Sequence, residues 1–281
     1  MPLDFRYHLA SLTAVFVALI IGILLGVAMT DAPGMREQIQ GLRAEFRRTL
    51  ALQNIDERTD RFTERTLPLL VKNRMFGRNV VLVQNTVTFP DEKMTAVREA
   101  FTLAGATITA EVALKPALLQ VTPEQVERVY VRVQRALPAK PGADDLLRLL
   151  AADLGSDLFK VARALQKEKL IAVRGDTTIP ISTVVLLGGG NDTTGQAAKV
   201  IDVPFLQACA KRKLRLAAVE PLQTARSVIP LYRKVASITV DDIDRAAGRI
   251  ALIFALSTDQ SGNYGYKSTA DDVIPEVNER K

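Results

Sequence analysis

The first long pattern along the chain is an unbroken apolar run, Leu9 to Met29, twenty-one residues without a charge. At 1.5 Å per residue it makes a helix about 31 Å long, enough to cross a hydrocarbon core about 30 Å thick. The run is longer than the apolar region of a cleaved signal peptide, and Ala28-Met29-Thr30 is a poor cleavage site. The pattern therefore predicts an uncleaved, single-pass anchor over residues 1–30. Within it Ala10, Ala14, Ala18, Gly22 and Gly26 recur at every fourth position. They line one side of the helix with a ridge that lets two backbones approach closely, which predicts helix association.

After a turn at Thr30-Asp31-Ala32-Pro33-Gly34, Met35, Ile39, Leu42 and Phe46 follow a 4-3-4 spacing. The frame slips near Thr49, and Leu52, Ile55, Thr59, Phe62, Thr66 and Leu69 resume it one position over. The spacing predicts a helical, short coiled-coil-like stalk over residues 31–76.

From residue 77 the period changes. Short apolar runs at Asn79–Gln84, Thr107–Val112, Thr183–Leu187 and Leu216–Val219 read as strands buried in a parallel sheet. Leu170–Val173 and Ser237–Thr239 are shorter candidates. Helical patterns run over Asp91–Ala104, from Thr122-Pro123-Glu124 onward, and over Asp144–Ala152, Ser156–Gln166, Pro204–Lys213, Thr224–Tyr232 and Asp241–Leu256. Strands alternating with helices predict an α/β fold with a Rossmann-like, mainly parallel sheet over residues 77–281, closed by a loop or tail from Gln260.

Composition narrows the chemistry. Hydrophobic residues make up 48% and charged residues 24%, enough apolar material for a sizeable core. The net charge is +6, and between Arg36 and Arg78 ten Lys/Arg face six Asp/Glu. Beside a bilayer such a stretch favours anionic headgroups. No aromatics interleave with these arginines and no nucleic-acid reader motif occurs, so nucleic acid is not an expected partner; the charges fit a solvated helix face, and membrane lipid is the expected partner of the anchored chain. The single histidine, His8, precedes the α/β segment, which excludes a Ser-His-Asp or Cys-His hydrolase and a histidine-based zinc site there. Cys209 has no second cysteine to pair with.

Three motifs carry candidate chemistry. Gly188, Gly189 and Gly190 follow a strand where doubly wound folds bind ligands, and such a turn can cradle a phosphate; it can equally serve tight turning alone. It lacks both the G-x-G-x-x-G pattern and the P-loop lysine. The acid pairs Asp144-Asp145, Asp241-Asp242 and Asp271-Asp272 read as helix caps. Tyr264 and Tyr266 flank a glycine and fit either a contact surface or a packed loop. No catalytic group, resident cofactor or metal-ligand set emerges: the soft ligands Met75, Met94 and Cys209 are far apart in sequence.

Taken in order, these features resemble the mycobacterial copper-transport protein B family. The resemblance rests on FRYHLASLTAVFVALIIGILLG, GRNVVLVQ, VREAFTLAGATITAEV, VVLLGGG and ITVDDIDRAAGRIALIFAL, then Tyr264-Gly265 and Pro275, and runs nearly end to end. It implies a cell-envelope protein linked to copper homeostasis and described as channel-forming. The expectation is a non-catalytic, membrane-anchored copper-transport component that forms homo-oligomers through anchor and stalk. The alternatives are an oligomeric envelope scaffold and a nucleotide- or sugar-binding α/β module. Arg36, Arg43, Arg47 and Arg48 would hold the C-terminal side in the cytoplasm by charge counting, but long domains translocate largely regardless of charge. With the resemblance, the expected location of the α/β segment is extracytoplasmic.

Overall fold

The computed structural model describes residues 13, 15–23, 45, 56–156, 160–212 and 214–276. The chain divides into two compact units, Met1–Thr59 and Asp60–Lys281. In the first, residues 15–23 are helical and Val15, Phe16, Val17, Leu19, Ile20, Ile21 and Ile23 are exposed. Of the small-residue ridge, Ala18 and Gly22 lie in this helix, Ala18 exposed and Gly22 with open space beside it, while Ala10, Ala14 and Gly26 lie outside the described residues. The remainder of Leu9–Met29 and most of the stalk before residue 56 also lie outside them. Among the described residues no helix is long and apolar enough to cross a membrane.

The second unit is a mixed α/β fold around one seven-stranded sheet of order β3-β2-β1-β4-β5-β6-β7. The strands are β1 (Asn79–Asn85), β2 (Thr107–Leu114), β3 (Ile171–Gly175), β4 (Thr183–Leu187), β5 (Arg215–Val219), β6 (Ile238–Val240) and β7 (Gly262–Tyr264). All neighbours pair in parallel except β2 and β3, which are antiparallel. The order of β3 to β6 is that of a doubly wound dinucleotide-type sheet, with the reversal between β1 and β4.

Helices cover both faces. We label them α1 (60–71, the part within this unit of a helix over 56–71), α2 (Asp91–Leu103), α3 (Pro123–Val133), α4 (Ala143–Asp153), α5 (Lys160–Lys167), α6 (Val203–Ala210), α7 (Ile229–Tyr232) and α8 (Ala246–Thr258). Alternate strand residues point to opposite faces, so the continuous apolar runs split into two cores. Val81, Val83, Val184 and Leu186 pack with α3 to α7. Val80, Leu82, Val185 and Leu187 pack with α1, α2 and α8.

Ten of the thirteen residues of α8 are buried. This helix is apolar all round because the sheet covers one side and Leu67 and Val71 of α1, with Met75 of the turn after it, join the same core. Two arginines complete the contact: Arg245, at the N-cap of α8, donates to Asp60 at 2.5 Å, and Arg249 of its first turn donates to Glu64. Residues 60–76, which periodicity assigns to the stalk, thus pack as part of the α/β unit.

Three further elements differ from their sequence readings. The helix read over Thr224–Tyr232 contains only α7, because Ala225 N–H donates to Gly190 O and Val228 N–H to Glu220, drawing residues 224–228 into a turn. The helix read from Asp241 starts at Ala246, since the Asp241 carboxylate receives the N–H groups of Tyr266 and Lys267 instead of capping. The tail after Gln260 supplies β7, a strand with no apolar run to announce it. Capping holds at α3, where Thr122 and Gln125 form a capping box, and at α4, where Asp145 receives Gly142 N–H.

Candidate functional site

The strands β1, β4, β5 and β6 end side by side, and their apolar runs terminate in Asn85, Gly188, Glu220 and Asp241. In doubly wound sheets this carboxyl edge, at the reversal of strand order, is where ligands enter. Here the protein's own side chains occupy it.

At the reversal point Asn85 Nδ2 donates to Asp202 Oδ1 at 2.7 Å and Tyr232 Oη donates to Asp202 Oδ2 at 2.5 Å. All three residues are wholly buried. Burial drives the Asp202 carboxyl up to about 7, with the two donors opposing the shift and the charge of Asp192 adding to it. Tyr232 is raised well above its ordinary range, first by burial and then by the adjacent Asp202. Asp192 ties down the loop after the glycines, accepting from Gly195 N–H at 2.8 Å and Ala198 N–H at 3.2 Å.

The glycine turn is built around this cluster. A Cβ on Gly188 would lie 2.1 Å from Tyr232 Oη, and one on Gly190 would lie 2.7 Å from Thr88 O. Gly189 and Gly190 hold φ of +71° and +86°, a region that disfavours any side chain. The space beside each glycine is thus filled by Tyr232, Asp202, Glu220 and Thr88. Close packing and backbone conformation thus require glycine at all three positions.

Further along the edge, Glu220 is wholly buried and accepts from Ser227 Oγ at 2.6 Å, Val228 N–H at 2.7 Å and Lys267 Nζ at 2.5 Å. Lys267 also donates to Pro221 O and Thr224 Oγ1. It comes from the loop around Gly265, where a Cβ would lie 2.0 Å from Asp241 Oδ1. The C-terminal loop is therefore fastened over the ends of β5 and β6 by its backbone on Asp241 and by Lys267 on Glu220. Tyr264 is buried in the core, while Tyr266 is half exposed with Arg245 over its ring.

Beside this edge Asp242 is wholly buried with neither carboxylate oxygen hydrogen-bonded. Burial, together with Asp241 and Asp244, raises it to about 7 against the opposing charges of Arg245 and Arg249. The nearby Asp244 is held below its ordinary range: burial raises it, but Leu222 N–H and the Lys93 ammonium outweigh that.

The soft candidate ligands do not converge. Cys209 is buried in one core and Met75 and Met94 in the other. Burial pushes the Cys209 thiol up to about 12, so it stays protonated near neutral pH, whereas metals bind the thiolate. Among the described residues no group of three or more His, Cys, Asp or Glu is placed to hold a metal ion. Periodicity missed Asn85, Asp202, Glu220, Tyr232 and Lys267. For Asn85 and Glu220 the available signal was a polar residue closing an apolar strand.

These features define a mixed α/β unit with a mostly parallel seven-stranded sheet, whose carboxyl edge carries a buried network of its own polar side chains. The chain matches the family described as "Copper transport outer membrane protein, MctB" over residues 3–275, and it belongs to that family. It is similar to proteins named "Copper transporter MctB" from Mycobacterium bovis and Mycobacterium tuberculosis, each 25% identical over 290 residues, covering 90% of this chain and 92% of theirs.

Proposed function

We propose that this chain is an anchored, non-catalytic component of copper transport in the cell envelope. The observation that carries the reading is the family match over residues 3–275, which takes in the apolar segment Leu9–Met29 as well as the α/β unit. On this reading Leu9–Met29 is a single-pass anchor, the following residues are a helical stalk, and the α/β unit faces the extracytoplasmic side. Copper is cargo here and not a resident cofactor.

One spanning helix cannot enclose a pore, so transport requires several copies. The ridge of Ala10, Ala14, Ala18, Gly22 and Gly26 supplies close helix contact within the membrane. Outside it, Phe62 and Leu69 stand 68% and 79% exposed one heptad apart, while Leu67 and Val71 of the same helix face the core. That second apolar side of α1, within the α/β unit, supports a contact between copies of that unit beside the stalk.

The test is a deletion strain scored for copper accumulation and for envelope permeability to a neutral dye. Loss of the gene changes copper accumulation and leaves dye entry unaltered; copper levels identical to the parent strain overturn the proposal. For orientation, alkaline phosphatase fused after Lys281 is active, and a bright cytoplasmic fluorescent fusion with inactive phosphatase reverses the assignment.

A further inference from the structure

A cavity of about 610 Å³ opens beside the helices α4 and α6, within the range of sites that hold small organic ligands. Arg148 of α4, Lys211 and Arg212 after α6, and Lys234 after α7 line it, with Pro204 and Val235 as apolar wall, and no acidic side chain lines it. The turns carrying Lys211, Arg212 and Lys234 lead into β5 and β6, so the cavity lies at the amino ends of these strands, away from the glycine turn.

The cations are only partly engaged by partners: Arg212 acts on the buried Asp153, whose carboxyl burial raises and its charge lowers. Lys211 and Lys234 form no ion pair among the described residues, and Arg148 has only Asp145 of its own helix, at 3.7 Å. Arg212 is held in place: Nη1 donates to Ala151 O and Leu154 O, each at 2.5 Å, at the carboxyl end of α4. Among the described residues its Nε and Nη2 have no hydrogen-bond partner, and they present a fork to a ligand. Helix-end carbonyls explain the placement of Arg212 alone; the other three cations come from a mid-helix position and from two separate turns.

Four like charges around one concavity repel one another, and an anion relieves that repulsion. A carboxylate neutralises one charge, whereas a phosphate ester carries close to two and matches a guanidinium fork with several acceptor oxygens. We propose that this cavity binds a phosphate-bearing ligand, with its phosphate on Lys211, Arg212 and Lys234 and its apolar portion against Pro204 and Val235. The site is independent of the copper reading, and its test does not involve copper.

The experiment titrates the full chain in neutral detergent by calorimetry with two probes, pyrophosphate and monomeric short-chain phosphatidic acid, using short-chain phosphatidylcholine as control. Saturable binding of pyrophosphate that weakens as salt is added supports a water-soluble phosphate ligand. Binding of phosphatidic acid without pyrophosphate binding supports a lipid-borne one. In either case Lys211→Glu with Lys234→Glu lowers affinity at least tenfold. The milder pair Lys211→Gln with Lys234→Gln lowers it by a smaller factor, and serves alone if charge reversal impairs folding. No saturable binding of either probe, or affinity unchanged in a folded variant pair, overturns the proposal.

Discussion

The hydroxyl of Tyr232 reaches Asp202 at 2.5 Å through the space that a Cβ on Gly188 would fill. The short helix α7 and the turn that leads into α6 are thereby joined by one buried hydrogen bond, and Asn85 at the end of β1 reaches the other oxygen of the same carboxyl. The absence of a side chain at position 188 is its geometric condition.

Replacing Gly188 with Ala puts a methyl 2.1 Å from Tyr232 Oη and 2.8 Å from Asp202 Oδ2. The tyrosine must move and the wholly buried carboxyl loses a donor. The expected cost is about 2–4 kcal/mol, combining overpacking with an unsatisfied buried group. Urea unfolding measures it. A Gly188→Ala midpoint equal to the parent's refutes the packing account of the turn.

Asp242 sets a pH dependence of stability. Its carboxyl rises from 3.8 to about 7 on folding, so the native state holds this proton more tightly than the unfolded chain. Its stabilising protonation is present below about pH 4 and is lost as pH rises through about 7. Asp202 contributes with the same sign. Asp242→Asn keeps the side chain neutral throughout. The variant should be more stable than the parent at pH 8, with the difference fading toward pH 4. A difference constant across that range is the failing result.

The contact between α1 and α8 is asymmetric. Arg249 is only 4% exposed and also donates to Ile243 O and Asp244 O, whereas Glu64 is 54% exposed. Removing Arg249 strands two carbonyls as well as the ion pair, at about 2 kcal/mol, while Glu64→Ala should cost under about 1 kcal/mol. A double-mutant cycle read by thermal unfolding separates the terms. Equal costs for the two single substitutions contradict this division.

Copper affinity of residues 60–281 should not depend on Cys209. The thiol is buried and raised to about 12, far from the form that ligates metal. In competition with a Cu(I) chelator, Cys209→Ser should match the parent within about twofold, since no thiolate is lost. A tenfold weaker variant identifies Cys209 as a ligand after all.

Local chemistry wrote much of this fold into the sequence. The strand Thr183–Leu187 and the helix start at Thr122-Pro123 stand where periodicity and capping place them, because an apolar run and a capping box act over a few neighbouring residues. Apolar alternation likewise determined an α/β unit with a mainly parallel sheet. What tertiary structure decided came from groups far apart in the chain. Glu220 drew Val228 N–H away from a helix read over Thr224–Tyr232, and β6 gave the unremarkable Gly262-Asn263-Tyr264 a strand's hydrogen bonds. The role of Gly188 depends on Tyr232 and Asp202, residues that periodicity has no means of bringing together. Spacing along a chain reports which face a residue shares with its neighbours, but only the folded backbone decides which distant polar groups must satisfy one another once water is excluded.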